Sequence, residues 1–296
     1  MGLNKKGMYL ALGSMSFLVV SGAGVSALDA HQAQLKIEKE RMERDNKRIA
    51  MEKARRDALV AKFSGIHPNY IDYAYDSNIV WNKIMARDYT NEEKVVFLTF
   101  DDGPSKTVTP EVLKVLNKHK VKGTFFVMGK TLEQGGEEAQ KILKEIYESG
   151  HAIGNHTYSH NYKKLYPNRR VNIDSFVEDL NQNEELIREA LGKDDYHTRV
   201  YRAPGGTMSW RGMDALKDYS IANNLVPIDW NALNKDAEGR KKSPEQLMSE
   251  AIKYSEGKDM VVLLMHDTYG KENTAKSLDK LITWYKDNGY TFKTLG

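Results

Sequence analysis

Val95-Val96-Phe97-Leu98-Thr99-Phe100-Asp101-Asp102-Gly103-Pro104 reads as a short, β-rich apolar run that stops at two adjacent carboxylates and a Gly-Pro turn. This is the pattern of a strand that delivers acids to its end. Neighbours on an extended chain point to opposite sides, so the two acids can take different work. One can hold a metal ion while the other handles a proton. By itself the string also fits a solvated turn, and the reading depends on what else the chain carries.

His156-Thr157-Tyr158-Ser159-His160 is a His-x-x-x-His pair. At i,i+4 on a helical turn both imidazoles would project from one face. That spacing suits two nitrogen ligands on one zinc-like ion, with a carboxylate such as Asp102 completing a three-ligand site open to water. No Glu follows the first His, so the zinc-protease helix signature is absent. Three more pieces come in order. Arg202-Ala203-Pro204-Gly205-Gly206 follows the run Arg199-Val200-Tyr201 and places a fixed cation beside a loop whose backbone can approach a ligand closely. Trp230 to Asp236 ends a segment that starts as the apolar Leu225-Val226-Pro227-Ile228. Met260-Val261-Val262-Leu263-Leu264-Met265-His266-Asp267 is a buried-strand pattern that ends in a histidine. Titratable groups at several strand ends are how barrel folds assemble their chemistry.

From about Lys94 to Leu295 the chain resembles the polysaccharide deacetylases, also called NodB-homology or carbohydrate esterase family 4 enzymes. Within them it is most like the membrane-anchored peptidoglycan N-acetylglucosamine deacetylases. The resemblance rests on five motifs: Thr99 to Pro104, His156-x-x-x-His160, Arg202 to Gly206, Trp230 to Asp236, and Leu264-Met265-His266. It implies that Asp102, His156 and His160 hold one divalent ion, expected to be zinc. It also implies that Asp101 is the general base toward the attacking water, paired with Arg202. Asp236 would pair with His266, the general acid, and the Gly205 N–H would donate to the oxyanion. In one place the chain departs from the family. Members usually carry Trp directly after the fourth-motif Asp, walling the acetyl pocket, and Ala237 stands there instead. The wall is then left to Trp230, Leu264 or another loop.

Those roles agree with elementary chemistry. Amide hydrolysis needs a nucleophile at neutral pH, and zinc can lower the pKa of bound water from about 15.7 to about 7. Collapse of the tetrahedral intermediate needs a proton for the departing amine, work suited to histidine. A bidentate arginine partner would keep Asp101 ionised. The chain has no cysteine, which excludes thiol nucleophiles and Cys-zinc sites.

The N-terminus indicates where this chemistry happens. Asn4-Lys5-Lys6 precedes Met8–Leu28, 21 residues without charge, long enough to cross a bilayer as a helix. Lysines on the N-terminal side place residues 1–7 in the cytoplasm and the rest outside. Val25-Ser26-Ala27 also resembles a signal-peptidase site, and cleavage there would yield a secreted protein. Residues 29–62 read as a charged helical stalk: from His31 to Val60 there is no Gly or Pro. Leu35, Met42 and Ile49 recur every seven residues, a weak coiled-coil seam compatible with a monomer or a stalk-mediated dimer. Its basic residues are interleaved with acids, and a net charge of +3 does not indicate nucleic-acid binding.

Residues 63–93 read as a lead-in packed on the catalytic domain, residues 94–296. Strand-like runs then alternate with helical patterns at Val112–His119, Phe125–Val127, Glu137–Ser149, Phe176–Leu191, Pro244–Ser255 and Thr274–Asn288, with a last strand at Tyr290–Thr294. The alternation alone predicts an α/β barrel or a doubly wound parallel sheet. The resemblance selects a distorted (β/α) barrel of about seven parallel strands. The expected function is removal of N-acetyl groups from a surface glycan, first of all N-acetylglucosamine of peptidoglycan. Chitin-type oligomers, poly-N-acetylglucosamine and O-acetylated xylan are alternatives within the same chemistry. A catalytically silent wall-binding scaffold is the alternative of another class.

Overall fold

A computed structural model describes residues 27–63 and 65–296. Contacts divide the chain into two compact units, Met1–Ala54 and Arg55–Gly296. In the first, helix α1 (Ala27–Lys62) begins. Its apolar residues Leu35, Ile37, Met42, Ile49 and Met51 are all exposed. Asp45 pairs with Arg41 and Arg48 one turn away on either side, the i,i+3 and i,i+4 pattern that supports a solvated helix. Residues 8–26 of the apolar N-terminal stretch lie outside the described residues. Among those described, no helix is long and apolar enough to cross a membrane.

The second unit is built on parallel strands. The lead-in supplies β1 (Ala74–Tyr75) and α2 (Ser77–Ala86). Next come β2 (Val95–Asp101), α3 (Thr109–His119), β3 (Thr124–Val127), α4 (Gly129–Glu148), which is interrupted at Gly136, and β4 (Ala152–Asn155). They are followed by α5 (Tyr162–Leu165), α6 (Ile173–Leu191), β5 (Val200–Tyr201), α7 (Asp214–Ala222), β6 (Val226–Pro227) and β7 (Ala232–Leu233). The chain closes with α8 (Pro244–Ser255), β8 (Met260–His266), α9 (Glu272–Asp287), β9 (Thr291–Phe292) and β10 (Thr294–Leu295). The sheet order is β6-β5-β4-β3-β2-β8-β7, seven parallel strands, as a distorted α/β barrel requires, with β9 added beside the start of β2. The expected last strand is therefore two short pieces. β9 joins β2, whereas β10 turns away to pair with β1.

Strand β2 is buried along its whole length, and its period-2 alternation decides which residues reach the site. Val96, Leu98 and Phe100 face the helical layer, in one core with Val112 and Leu116 of α3, Leu143 and Ile146 of α4, and Leu278 and Leu281 of α9. Val95 and Phe97 face the other way, toward Met260, Val262, Phe126 and the lead-in residues Val80 and Ile84. By the same parity Thr99 and Asp101 follow Phe97 onto the inner face. The β2–β8 register places Asp101 directly opposite His266. Two strand ends about 4.8 Å apart therefore deliver a carboxylate and an imidazole to one spot.

Candidate active site

Asp101 is 3% exposed, and Oδ1 accepts a hydrogen bond from Arg202 Nη1 at 2.7 Å. Arg202 follows β5 and is fully buried. Its orientation is set by three bonds: Nε donates to the Ile228 carbonyl at 2.9 Å, and Nη1 is shared between Asp101 and Thr99 Oγ1, the latter at 2.8 Å. Its plane lies over the Phe126 ring, 4.1 Å from the centroid. The contact is not the expected bidentate one. Only Nη1 reaches the carboxylate, and Nη2 has no hydrogen-bond partner among the described residues.

The histidine pair is not on a helix. His156 directly follows β4, and the chain to His160 is a loop with Thr157 at φ 62° and His160 at φ 50°. Side chains replace the helical bonds there. Asn155 Oδ1 accepts from the Thr157 N–H at 2.9 Å, and Asp179 Oδ2 accepts from the Ser159 N–H at 2.7 Å and its hydroxyl at 2.9 Å. Asx-type bonds of this kind compete successfully with helix in short polar segments. The two imidazoles still converge, with ring centroids 4.9 Å apart. Asp102, itself at φ 71° just past β2, puts Oδ1 3.4 Å from His156 Nε2 and 3.8 Å from His160 Nε2.

These three residues fit a divalent cation. Among the described residues the buried Asp102 Oδ1 has no hydrogen-bond partner, which leaves it available to a cation. One ligand atom from each residue lies within 4.8 Å of the others. His156 Nδ1 is 2.8 Å from the Arg202 carbonyl. A carbonyl can only accept, so Nδ1 carries the proton and Nε2 presents its lone pair to the site. Burial, with the neighbouring His156, holds His160 below the usual histidine range and so favours the neutral, ligating form. An N₂O set of this kind suits zinc and other first-row divalent ions.

Across the site, His266 Nδ1 donates to Asp236 Oδ1 at 2.7 Å, and its backbone N–H donates to Oδ2 at 2.9 Å. Thr274 Oγ1 also donates to Oδ2, at 2.7 Å. Burial works against protonation of His266. The hydrogen bond and charge of Asp236, aided by Asp101 and Asp102, outweigh it and push the imidazole up to about 9. Burial likewise opposes ionisation of Asp236, but the His266 hydrogen bond keeps it below the ordinary carboxylate value. The pair is thus an imidazolium held by a carboxylate, with Nε2–H left for a substrate.

The loop after Arg202 completes the site. Gly205 has φ 76°, and among the described residues nothing accepts its N–H. Asp229 anchors the loop: its carboxylate accepts from the Thr207 N–H at 2.9 and 3.0 Å and from the Thr207 hydroxyl at 2.6 Å. Trp230 stands against the same loop, where a Cβ on Gly206 would come within 3.1 Å of its ring. Leu264, two residues before His266 and so on the same face of β8, is 8% exposed. Ala237 is exposed and builds no wall.

Several contributors escaped sequence reasoning. Thr99 had a signal, since it stands two residues before Asp101 on one strand. Asp229 had one too, because an acid that ends the run Val226-Pro227-Ile228 repeats the pattern of β2. Asp267 had none. It is 1% exposed behind Gly103, where a Cβ would lie 2.4 Å from its oxygens, and it accepts from Thr109 Oγ1 at 2.6 Å. Burial above all pushes it up to about 7.

A family model for polysaccharide deacetylase matches residues 88–223. The chain is 32% identical over 203 residues to a peptidoglycan-N-acetylglucosamine deacetylase of Bacillus cereus. That alignment covers 68% of this chain and 66%, just under two thirds, of that protein. It is 30% identical over 208 residues to the peptidoglycan-N-acetylmuramic acid deacetylase of Bacillus subtilis, covering 69% of this chain and 71% of the relative. A CE4 esterase structure from Streptococcus mutans superposes with a TM-score of 0.71 at 34% identity, over 79% of this chain and 97% of that one.

Proposed function

The chain belongs to the polysaccharide deacetylase family, and from that premise we propose that it removes N-acetyl groups from N-acetylglucosamine of peptidoglycan. One observation carries the catalytic reading. The buried, unpartnered Asp102 Oδ1 faces two imidazoles, with the Asp101–Arg202 pair on one side and the His266–Asp236 pair on the other. The relatives' activities on peptidoglycan support the choice of polymer.

In this mechanism Asp101, fixed in place by the hydrogen bond from Arg202, takes a proton from the water that attacks the acetyl carbon. The Gly205 N–H donates to the oxygen that becomes negative. His266 then gives its Nε2 proton to the sugar nitrogen as the carbon–nitrogen bond breaks, leaving acetate and a free amine. Asp236 keeps the imidazole charged and correctly turned until that moment. Asp102, His156 and His160 would hold a divalent ion, which would supply Lewis-acid polarisation of the carbonyl and a lowered pKa for bound water. The silent-scaffold alternative would fit a chain that had lost one of these groups, and none is lost.

The test is release of free amine and acetate from purified peptidoglycan by the full-length protein. Activity should fall with chelator, return with added zinc, and vanish together with bound metal in His156→Ala. Full turnover by a metal-free preparation would overturn the proposal, as would no release from any N-acetylated glycan by the zinc-loaded protein.

A further inference from the structure

The loop that carries the Gly205 N–H is held by a residue outside every motif described above. Trp210 donates its indole Nε1–H to the Pro204 carbonyl at 2.9 Å. That carbonyl and the Gly205 N–H belong to one peptide unit, and in a trans peptide they point in opposite directions. Fixing the carbonyl therefore aims the N–H. The indole is itself fixed: it stacks on the buried Tyr166 with centroids 4.0 Å apart and planes 5° from parallel, while the Arg169 guanidinium lies 5.6 Å from its ring. Glycine at 205 lets the indole come this close, since a Cβ there would stand 3.2 Å from the ring and φ is positive. Ser209 Oγ secures the next carbonyl, donating to Gly205 O at 2.7 Å.

We propose that Trp210 is a positioning residue for the oxyanion donor, acting through the Pro204–Gly205 peptide. A hydrogen bond accepted at the carbonyl also polarises the N–H at the other end of the same unit. Trp210 touches no reacting atom. Its effect falls on the transition state, where the oxygen carries charge, and not on ground-state binding. The proposal rests on the deacetylase reading, and the experiment separates the two.

Full-length Trp210→Phe and Trp210→His proteins, loaded with zinc, are compared with the parent on an N-acetylglucosamine oligomer. Phe keeps an aromatic ring on Tyr166 but has no donor. His loses the benzo ring, yet its Nε2–H occupies the ring position of the indole Nε1–H. Trp210→Phe should lower kcat about 10- to 100-fold, short of the loss from deleting an oxyanion donor outright. KM should stay within about twofold and zinc content should be unchanged. Trp210→His should recover much of kcat despite a lower melting temperature. If the Phe protein does not fold, Leu replaces it, because His and Leu both lack the benzo ring and differ in the donor. Kcat within about twofold of the parent for Trp210→Phe, or a folded His protein no faster than Phe, overturns the proposal. Inactivity of the parent on every N-acetylated glycan overturns the deacetylase reading instead.

Discussion

At the scale of single residues the proposed base, Asp101, and the proposed acid, His266, each have a fixed partner of opposite charge. Asp101→Asn keeps the shape and the Arg202 contact while removing the proton acceptor. Turnover should fall at least about 100-fold with zinc content unchanged, and loss of the metal along with turnover would show that Asp101 is a ligand. For His266 the prediction concerns pH. Its folded value of about 9 lies above the ordinary 6.5, so the stabilisation from its charged form is complete below about 6.5 and is lost as pH rises through about 9. Activity that needs the imidazolium should fall over the same upper range. Asp236→Asn removes the interaction that raises the value and leaves the burial that lowers it. The alkaline limb of kcat/KM should therefore move to lower pH, and an unmoved limb would assign it to another group. Asp101, Asp102 and His266 stood out in the sequence because they lie at the ends of apolar runs, Arg202 because it follows Val200-Tyr201, and His156 and His160 by their spacing. Asp236 was singled out only through the family resemblance. The route from His156 to His160 was not legible. A helical turn and an Asx-stabilised loop both bring i and i+4 together, and the Asp179 carboxylate that decides between them is 20 residues away.

At the scale of elements, legibility followed local pattern. Strands β2 and β8 announce themselves as apolar runs, and α8 begins with Ser243-Pro244-Glu245-Gln246, a capping box whose bonds form at both ends. The two-residue strands β5, β6 and β7 have no such signature; they are strands because of what they pair with. β5 and β6 also extend the sheet path so that Arg202, its Nε held by the Ile228 carbonyl, reaches Asp101. The fit is tight where β4 passes β3. A Cβ on Gly154 would stand 2.5 Å from the Phe126 ring, which in turn underlies Arg202 at 4.1 Å. Gly154→Ala should therefore destabilise the protein by about 1–3 kcal/mol, read from urea unfolding. Turnover should also fall, because the displaced ring shifts the arginine that holds the base. A stable variant with full activity would show that Phe126 relaxes without moving Arg202.

At the scale of the whole molecule the open matter is attachment, which we propose is by the N-terminal segment. Met8–Leu28 carries no charge and follows Lys5 and Lys6, which favours a span with its start in the cytoplasm and the catalytic unit outside. The described part of α1 up to Ala54 is consistent with a solvated stalk, since its apolar side chains are exposed and its charges pair along the helix. A peptidoglycan substrate lies on the outer side of that span, so the location and the chemistry support each other. On this proposal the native protein should fractionate with membranes. Removing residues 1–28, and supplying a cleavable export signal, should leave deacetylation of small soluble N-acetylglucosamine oligomers within about twofold. The same change should lower the fraction of deacetylated sugar in the wall of intact cells, because the tether's contribution is local concentration near the membrane. Recovery of the native protein mainly from the medium, beginning near Leu28, would establish a cleaved signal peptide and remove the tether from the argument about substrate.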